Sequence, residues 1–130
     1  MTVPFVCVLV AWLLVFVPRM FVAAAQARMP EGYDNAHPRD QQSRLEGWGK
    51  RAQGAHLNGF EAFAPFAAAV IIAHLAHASE SRATQLAIAF VVLRAVYIGL
   101  YLANLDKVRS LVWIAAFAAN GALFVLPWIG

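Results

Sequence analysis

Apolar residues run in four long blocks along this chain, and polar positions fall between the blocks or at a few isolated places inside them. The blocks read as Val3 to Ala25, Gly59 to Ala78 with its helix starting near Gly54, then Ala83 to Ala103, and Ser110 to Trp128. A hydrocarbon core about 30 Å thick takes about 20 apolar residues per helical crossing. The pattern therefore predicts an all-α, four-helix integral membrane bundle in a single domain. One long polar segment, residues 26–53, separates the first block from the second. It mixes both charge signs with Pro30, Gly32 and Pro38 and reads as a connector, with a short amphipathic stretch from Arg39 to Lys50 and Trp48 as an interfacial anchor.

Composition narrows the class further. With 62% hydrophobic and 13% charged residues, the chain is too apolar for a soluble domain. Its net charge of +3 does not point to nucleic acid, because the basic residues sit at segment ends and in loops. Arg28, Arg39, Arg44, Lys50 and Arg51 lie in or beside the first loop and Lys107 and Arg109 in the third, against Arg82 alone in the second. The positive-inside rule then puts the first and third loops in the cytoplasm and both termini opposite. The first block has a rival reading as a cleaved signal, from the small residues of Ala23-Ala24-Ala25-Gln26-Ala27. No basic residue precedes it and Arg19 interrupts it, which favours a retained helix loosened at Pro18.

Ionisable side chains inside a membrane segment are costly and mark sites by default. At about 100° per residue, Arg51, Gly54, Asn58, Glu61 and Pro65 fall within roughly an 80° sector of the second helix, whereas His56 lies well away from it. In the third helix Arg94, Tyr97 and Tyr101 recur at i, i+3 and i+7, again one face. Two polar stripes thus approach the end where Arg109-Ser110 opens the fourth helix. Taken singly, the Arg94 and Glu61 side chains also fit an interhelical fastener, and the tyrosines an interfacial or packing role. Together, guanidiniums, an amide and a carboxylate suit a ligand with carboxylate and ammonium ends.

Other chemistries find less support. His74 and His77 sit at i, i+3 with no third ligand at clear spacing, so no metal is expected. The sole cysteine, Cys7, has no intrachain partner and reads as packing. Ser110 lacks a matched histidine and acid, and there is no glycine-rich phosphate loop.

The run Ala55-His56-x-Asn58-x-x-Glu61 with Pro65-Phe66, the stripe Arg94-x-x-Tyr97-x-x-x-Tyr101 and the pair Arg109-Ser110 resemble the MAPEG family, the membrane-associated proteins of eicosanoid and glutathione metabolism. The likeness spans nearly the whole chain and suggests a bacterial-type member, which implies the bacterial inner membrane. The resemblance implies a homotrimer with glutathione as co-substrate between neighbouring subunits near the cytoplasmic face, and a lipophilic electrophile or hydroperoxide entering from the bilayer. Arg51, His56, Asn58 and Glu61 would bind the tripeptide from one subunit, and Arg94, Tyr97 and Tyr101 from the next. Arg109 and Ser110 are the implied catalytic pair, stabilising the thiolate. The chain departs from the family pattern at Gly54 and Leu57, where relatives commonly carry arginine, and at Asp106 in a stretch that is often basic. Two other function classes stay open: a non-enzymatic lipid-binding or scaffold member of the same fold, and a small proton-coupled transporter built on Glu61.

Overall fold

The computed structural model describes residues 1–129, and over these it is helical with no strand. Four long helices run up and down in turn: α1 (Val3–Ala27), α3 (Gly47–Leu75), α4 (Glu80–Leu102) and α5 (Asp106–Ile129), with the short α2 (Pro38–Ser43) in the first loop. All four are long and apolar enough to cross a bilayer. A helix satisfies its own backbone in a medium that offers no partners, which is why the apolar blocks fold this way. α1 lies chiefly along α3, and α4 chiefly along α5.

The connections explain the sharp reversals. Asn104 holds a left-handed φ of 62° after α4, and the Leu105 N–H returns to the Leu100 carbonyl at 3.0 Å. That is a helix stop in which asparagine stands in for glycine. His77 does the same after α3, at φ 54°, with Ala78 N–H on the Ala73 carbonyl at 2.9 Å. Asn104 and His77 thus each hold a left-handed backbone that ends a helix.

The core is built from small residues and one aromatic stack. Ala11, Ala69, Ala83, Ala87, Ala116 and Ala119 are buried where helices meet, as expected where close van der Waals approach replaces the hydrophobic effect. Phe66 and Phe90 stack at 4.0 Å between ring centroids and 11° between planes, fixing α3 against α4. On the other side, a Cβ at Gly59 would lie 3.3 Å from the Val15 backbone, so glycine permits the close α1–α3 crossing there.

The first loop is more ordered than a solvated connector. Gln26 and Gln41 are fully buried, and Gln26 Nε2 donates to Gln41 Oε1 at 3.1 Å and to the Pro38 carbonyl at 3.3 Å. Gln41 in turn donates to the Gly32 carbonyl at 2.7 Å and accepts from the Asp34 N–H at 3.0 Å. Arg19 reaches down from α1 to Gln26 at 3.3 Å and to the Tyr33 hydroxyl at 3.2 Å. Buried amides so satisfied define one loop conformation. The second long helix also begins at Gly47 rather than near Gly54, so Trp48 and Arg51 belong to its first two turns. Outside the spans, the Glu31 carboxyl is held below its ordinary range by a backbone hydrogen bond and by the Arg44 guanidinium, 2.9 Å away.

Candidate functional site

The polar face of α3 meets that of α4 within one chain. Arg94, 5% exposed, donates to Asn58 Oδ1 at 2.9 Å, and Asn58 Nδ2 donates to Glu61 at 3.0 Å. Among the described residues no ion pair joins Arg94 to Glu61 directly; the Asn58 amide stands between them and uses both of its ends. Such charge-assisted hydrogen bonds are the strong ones. Because α3 and α4 pack against each other, Asn58 and Arg94 face each other across their seam.

A ladder of cations and rings continues from Arg94 toward the end of the bundle that carries α2. The Arg94 guanidinium lies over the Tyr97 ring at 4.2 Å. Tyr97 and Tyr101 make an edge-to-face pair at 5.7 Å, and Arg109 lies over Tyr101 at 4.2 Å. The i, i+4 spacing of the tyrosines sets them one above the other on α4, and the three-residue turn after Leu102 brings Arg109 back over the second ring. Ser110 is exposed one residue further on. Arg51 Nε donates to the Leu102 carbonyl at 3.3 Å, placing a cation at the C-terminus of α4 where unpaired carbonyls favour it.

Two features of α3 shape this face. The Tyr101 hydroxyl fills the space a side chain at Gly54 would occupy. Position 54 is a socket for the Tyr101 phenol. Pro65 offers no N–H to the Glu61 carbonyl one turn earlier, leaving that oxygen available beside the exposed Glu61 carboxylate.

His56 does not join the site. Its Nδ1 is 2.7 Å from the Val15 carbonyl oxygen, and its ring packs against Phe16 and Phe60. A carbonyl only accepts, so Nδ1 is the protonated nitrogen. His56 faces α1, on the side of α3 away from Asn58 and Glu61.

Beside Asn58 and Glu61 a hollow of about 140 Å³ opens between α3, α4 and α5. Its α5 wall is Trp113, Ala116, Phe117 and Asn120, at i, i+3, i+4 and i+7. Sequence reasoning passed over this stripe. Its signal was Asn120, the one polar side chain between Leu111 and Ile129.

A four-span membrane bundle with an arginine, amide, carboxylate and tyrosine array at one end defines the class: an integral membrane protein with a polar site cut into its helix faces. The chain belongs to the MAPEG family, whose family model matches residues 3–129. Comparison with curated proteins and with solved structures gave no match.

Proposed function

We propose that the chain is a glutathione-dependent transferase or peroxidase acting on lipophilic electrophiles, assembled as a homotrimer with glutathione held between protomers. The observation that carries this reading is the unbroken array Glu61, Asn58, Arg94, Tyr97, Tyr101, Arg109, in which every link is a hydrogen bond or a ring contact. It sets a carboxylate for an ammonium group and the Arg109 guanidinium for an anionic sulfur on one array, and Arg51 beside it adds a cation for a carboxylate, the chemistry that a thiol tripeptide requires. The excess of Lys and Arg in the first and third loops supports placing this end in the cytoplasm, in a bacterial inner membrane. An exposed Glu61 within a membrane span is expensive against lipid, which supports a second copy of the chain covering that face.

In this reading Glu61 and Arg51 orient the peptide, and Arg94 holds Asn58 in place rather than touching ligand. Arg109 supplies the chemistry. A thiol with a pKa of about 8.5 is mostly protonated at neutral pH, and an adjacent guanidinium favours the nucleophilic thiolate. The Ser110 hydroxyl donates to the same sulfur. The electrophile arrives through the bilayer along α5.

A second reading, a lipid-binding or scaffold member without turnover, is favoured by Gly54. A phenol where relatives commonly place a guanidinium removes one charge-assisted contact to an anionic ligand, about 1.5–3 kcal/mol. Calorimetric titration of glutathione into the purified protein in detergent separates the two. The enzyme reading expects saturable binding at millimolar or tighter affinity and conjugation of a hydrophobic electrophile. Absence of heat at saturating glutathione, with the oligomer intact, leaves the scaffold.

A further inference from the structure

We propose that the cleft between the end of α1 and the start of α3 binds the headgroup of an anionic glycerophospholipid, held through its phosphodiester by Arg28 and Arg44. The cleft shares no residue with the array from Glu61 to Arg109, and lipid binding there does not depend on whether the chain turns over glutathione.

Depth in the bilayer selects a lipid. α1 has 25 residues, a length of about 37 Å, whereas the hydrocarbon core is about 30 Å thick. One end of the helix therefore reaches the headgroup layer, and its C-terminal end carries the charge. Arg28 is the C-cap residue there; it is exposed, and among the described residues it has no carboxylate partner. Its guanidinium lies over the Trp48 ring, 5.4 Å from the centroid, a contact that steadies a planar fork suited to phosphate oxygens. Basic side chains beside a spanning helix, with an aromatic ring at the membrane boundary, are the groups that recognise anionic headgroups.

The walls narrow the choice of headgroup. The cleft measures about 280 Å³. Ala25, Met29 and Leu45 give it an apolar side, which suits the glycerol backbone and the first acyl carbons. Arg44 lines it as well and is tied to Glu31 at 2.9 Å, so the second guanidinium is already placed. Glu46 borders the same space. A carboxylate there repels a multiply charged phosphate but accepts hydrogen bonds from hydroxyl groups. The combination fits a singly charged phosphodiester whose alcohol carries hydroxyls, as in phosphatidylglycerol. A free phosphate offers the same oxygens to the arginines, yet it brings more negative charge to Glu46 and nothing to the apolar side.

The test uses immobilised protein in detergent micelles, loaded with radiolabelled dioleoylphosphatidylglycerol in the absence of glutathione. Unlabelled phosphatidylglycerol, dioleoylphosphatidylcholine and inorganic phosphate are the competitors. The expected result is saturable retention at one lipid per chain, with phosphatidylglycerol displacing the label at about tenfold lower concentration than phosphatidylcholine, as one charge-assisted hydrogen bond supplies. Millimolar phosphate should displace none. Arg28→Ala should bring the two lipids to parity, and Arg28→Lys, which keeps the charge without the planar fork, should leave a preference of a few-fold. Arg39→Ala removes the same charge from the same loop outside the cleft and should keep the full preference, all three variants having unchanged helix content. Displacement by both lipids at equal concentration, a preference that survives Arg28→Ala, or one that Arg39→Ala weakens as much as Arg28→Ala would overturn the proposal. Displacement by millimolar phosphate would overturn it too, by assigning the cleft to a soluble anion.

Discussion

The phenol of Tyr101 rests against the bare Cα of Gly54, so that the tip of one helix's side chain occupies the volume of a missing side chain on the next. Every larger residue at position 54 must expel the ring. Gly54→Ala should therefore destabilise the protein despite the gain of about 0.5–1 kcal/mol that alanine brings to a helix interior, because overpacking costs about 1–3 kcal/mol. Since Arg109 stacks on the same ring, turnover should fall several-fold as well. Thermal unfolding in detergent and glutathione-dependent turnover check the two effects. A Gly54→Ala protein that melts higher and works normally would mean that Tyr101 is free to swing aside.

Asn58 links two charged groups that do not meet otherwise. Asn58→Ala leaves the buried Arg94 guanidinium without its amide partner and removes the donor to Glu61. A part-buried hydrogen bond to a charged group contributes about 1.5–3 kcal/mol and the exposed one to Glu61 adds little, so a loss of about 2–3 kcal/mol is expected, nearly all of it from Arg94. Asn58→Asp should recover the Arg94 side while setting a second carboxylate beside Glu61. Denaturation midpoints should then rank unaltered protein first, Asp next and Ala last.

How much of this was legible in the sequence depends on the physics behind each element. The four spans were, because hydrocarbon demands about 20 apolar residues per crossing and leaves little freedom. The start of α3 was not, because Gly47 to Gln53 is polar enough to read as loop while still extending the span. Periodicity placed Asn58 with Glu61 and set His56 apart, and the Val15 contact bears out that separation. It carries no information on which helices are neighbours, and so the meeting of Arg94 with Asn58 inside one chain was open. The Gln26–Gln41 lock escaped for a different reason. A local amide network has no period, and buried glutamines in a polar loop look like solvated ones.

The first loop supplies a pH-dependent prediction away from the membrane. Because a backbone hydrogen bond and Arg44 hold the Glu31 carboxyl below its ordinary value of 4.5, the folded state binds that proton less readily than the unfolded chain. Its stabilising contribution is therefore present above the ordinary value and is lost as pH falls through the depressed one. Glu31→Gln should lower the melting point slightly at neutral pH and flatten its decline in mildly acidic buffer. The pair is exposed, so high salt should shrink the difference. A variant whose melting point falls with acid as steeply as the original would assign the acid sensitivity to other carboxylates.

Arg109 separates chemistry from stability most cleanly. It is half-buried over Tyr101, and a cation over an accessible ring contributes about 0.5–1 kcal/mol, so Arg109→Ala should leave the fold and the oligomer nearly unchanged. If its guanidinium sustains the glutathione thiolate, each unit of thiol pKa it supplies corresponds to about 1.4 kcal/mol between the protonation states. The acid limb of the pH–rate profile should then move up by about one to two units in Arg109→Ala, with turnover at neutral pH falling roughly 10- to 100-fold. Arg109→Lys keeps the charge but not the planar stack, and should sit between the two. A profile that keeps its acid limb while turnover drops would assign Arg109 to positioning the substrate, and the Ser110 hydroxyl would become the group to test against the sulfur.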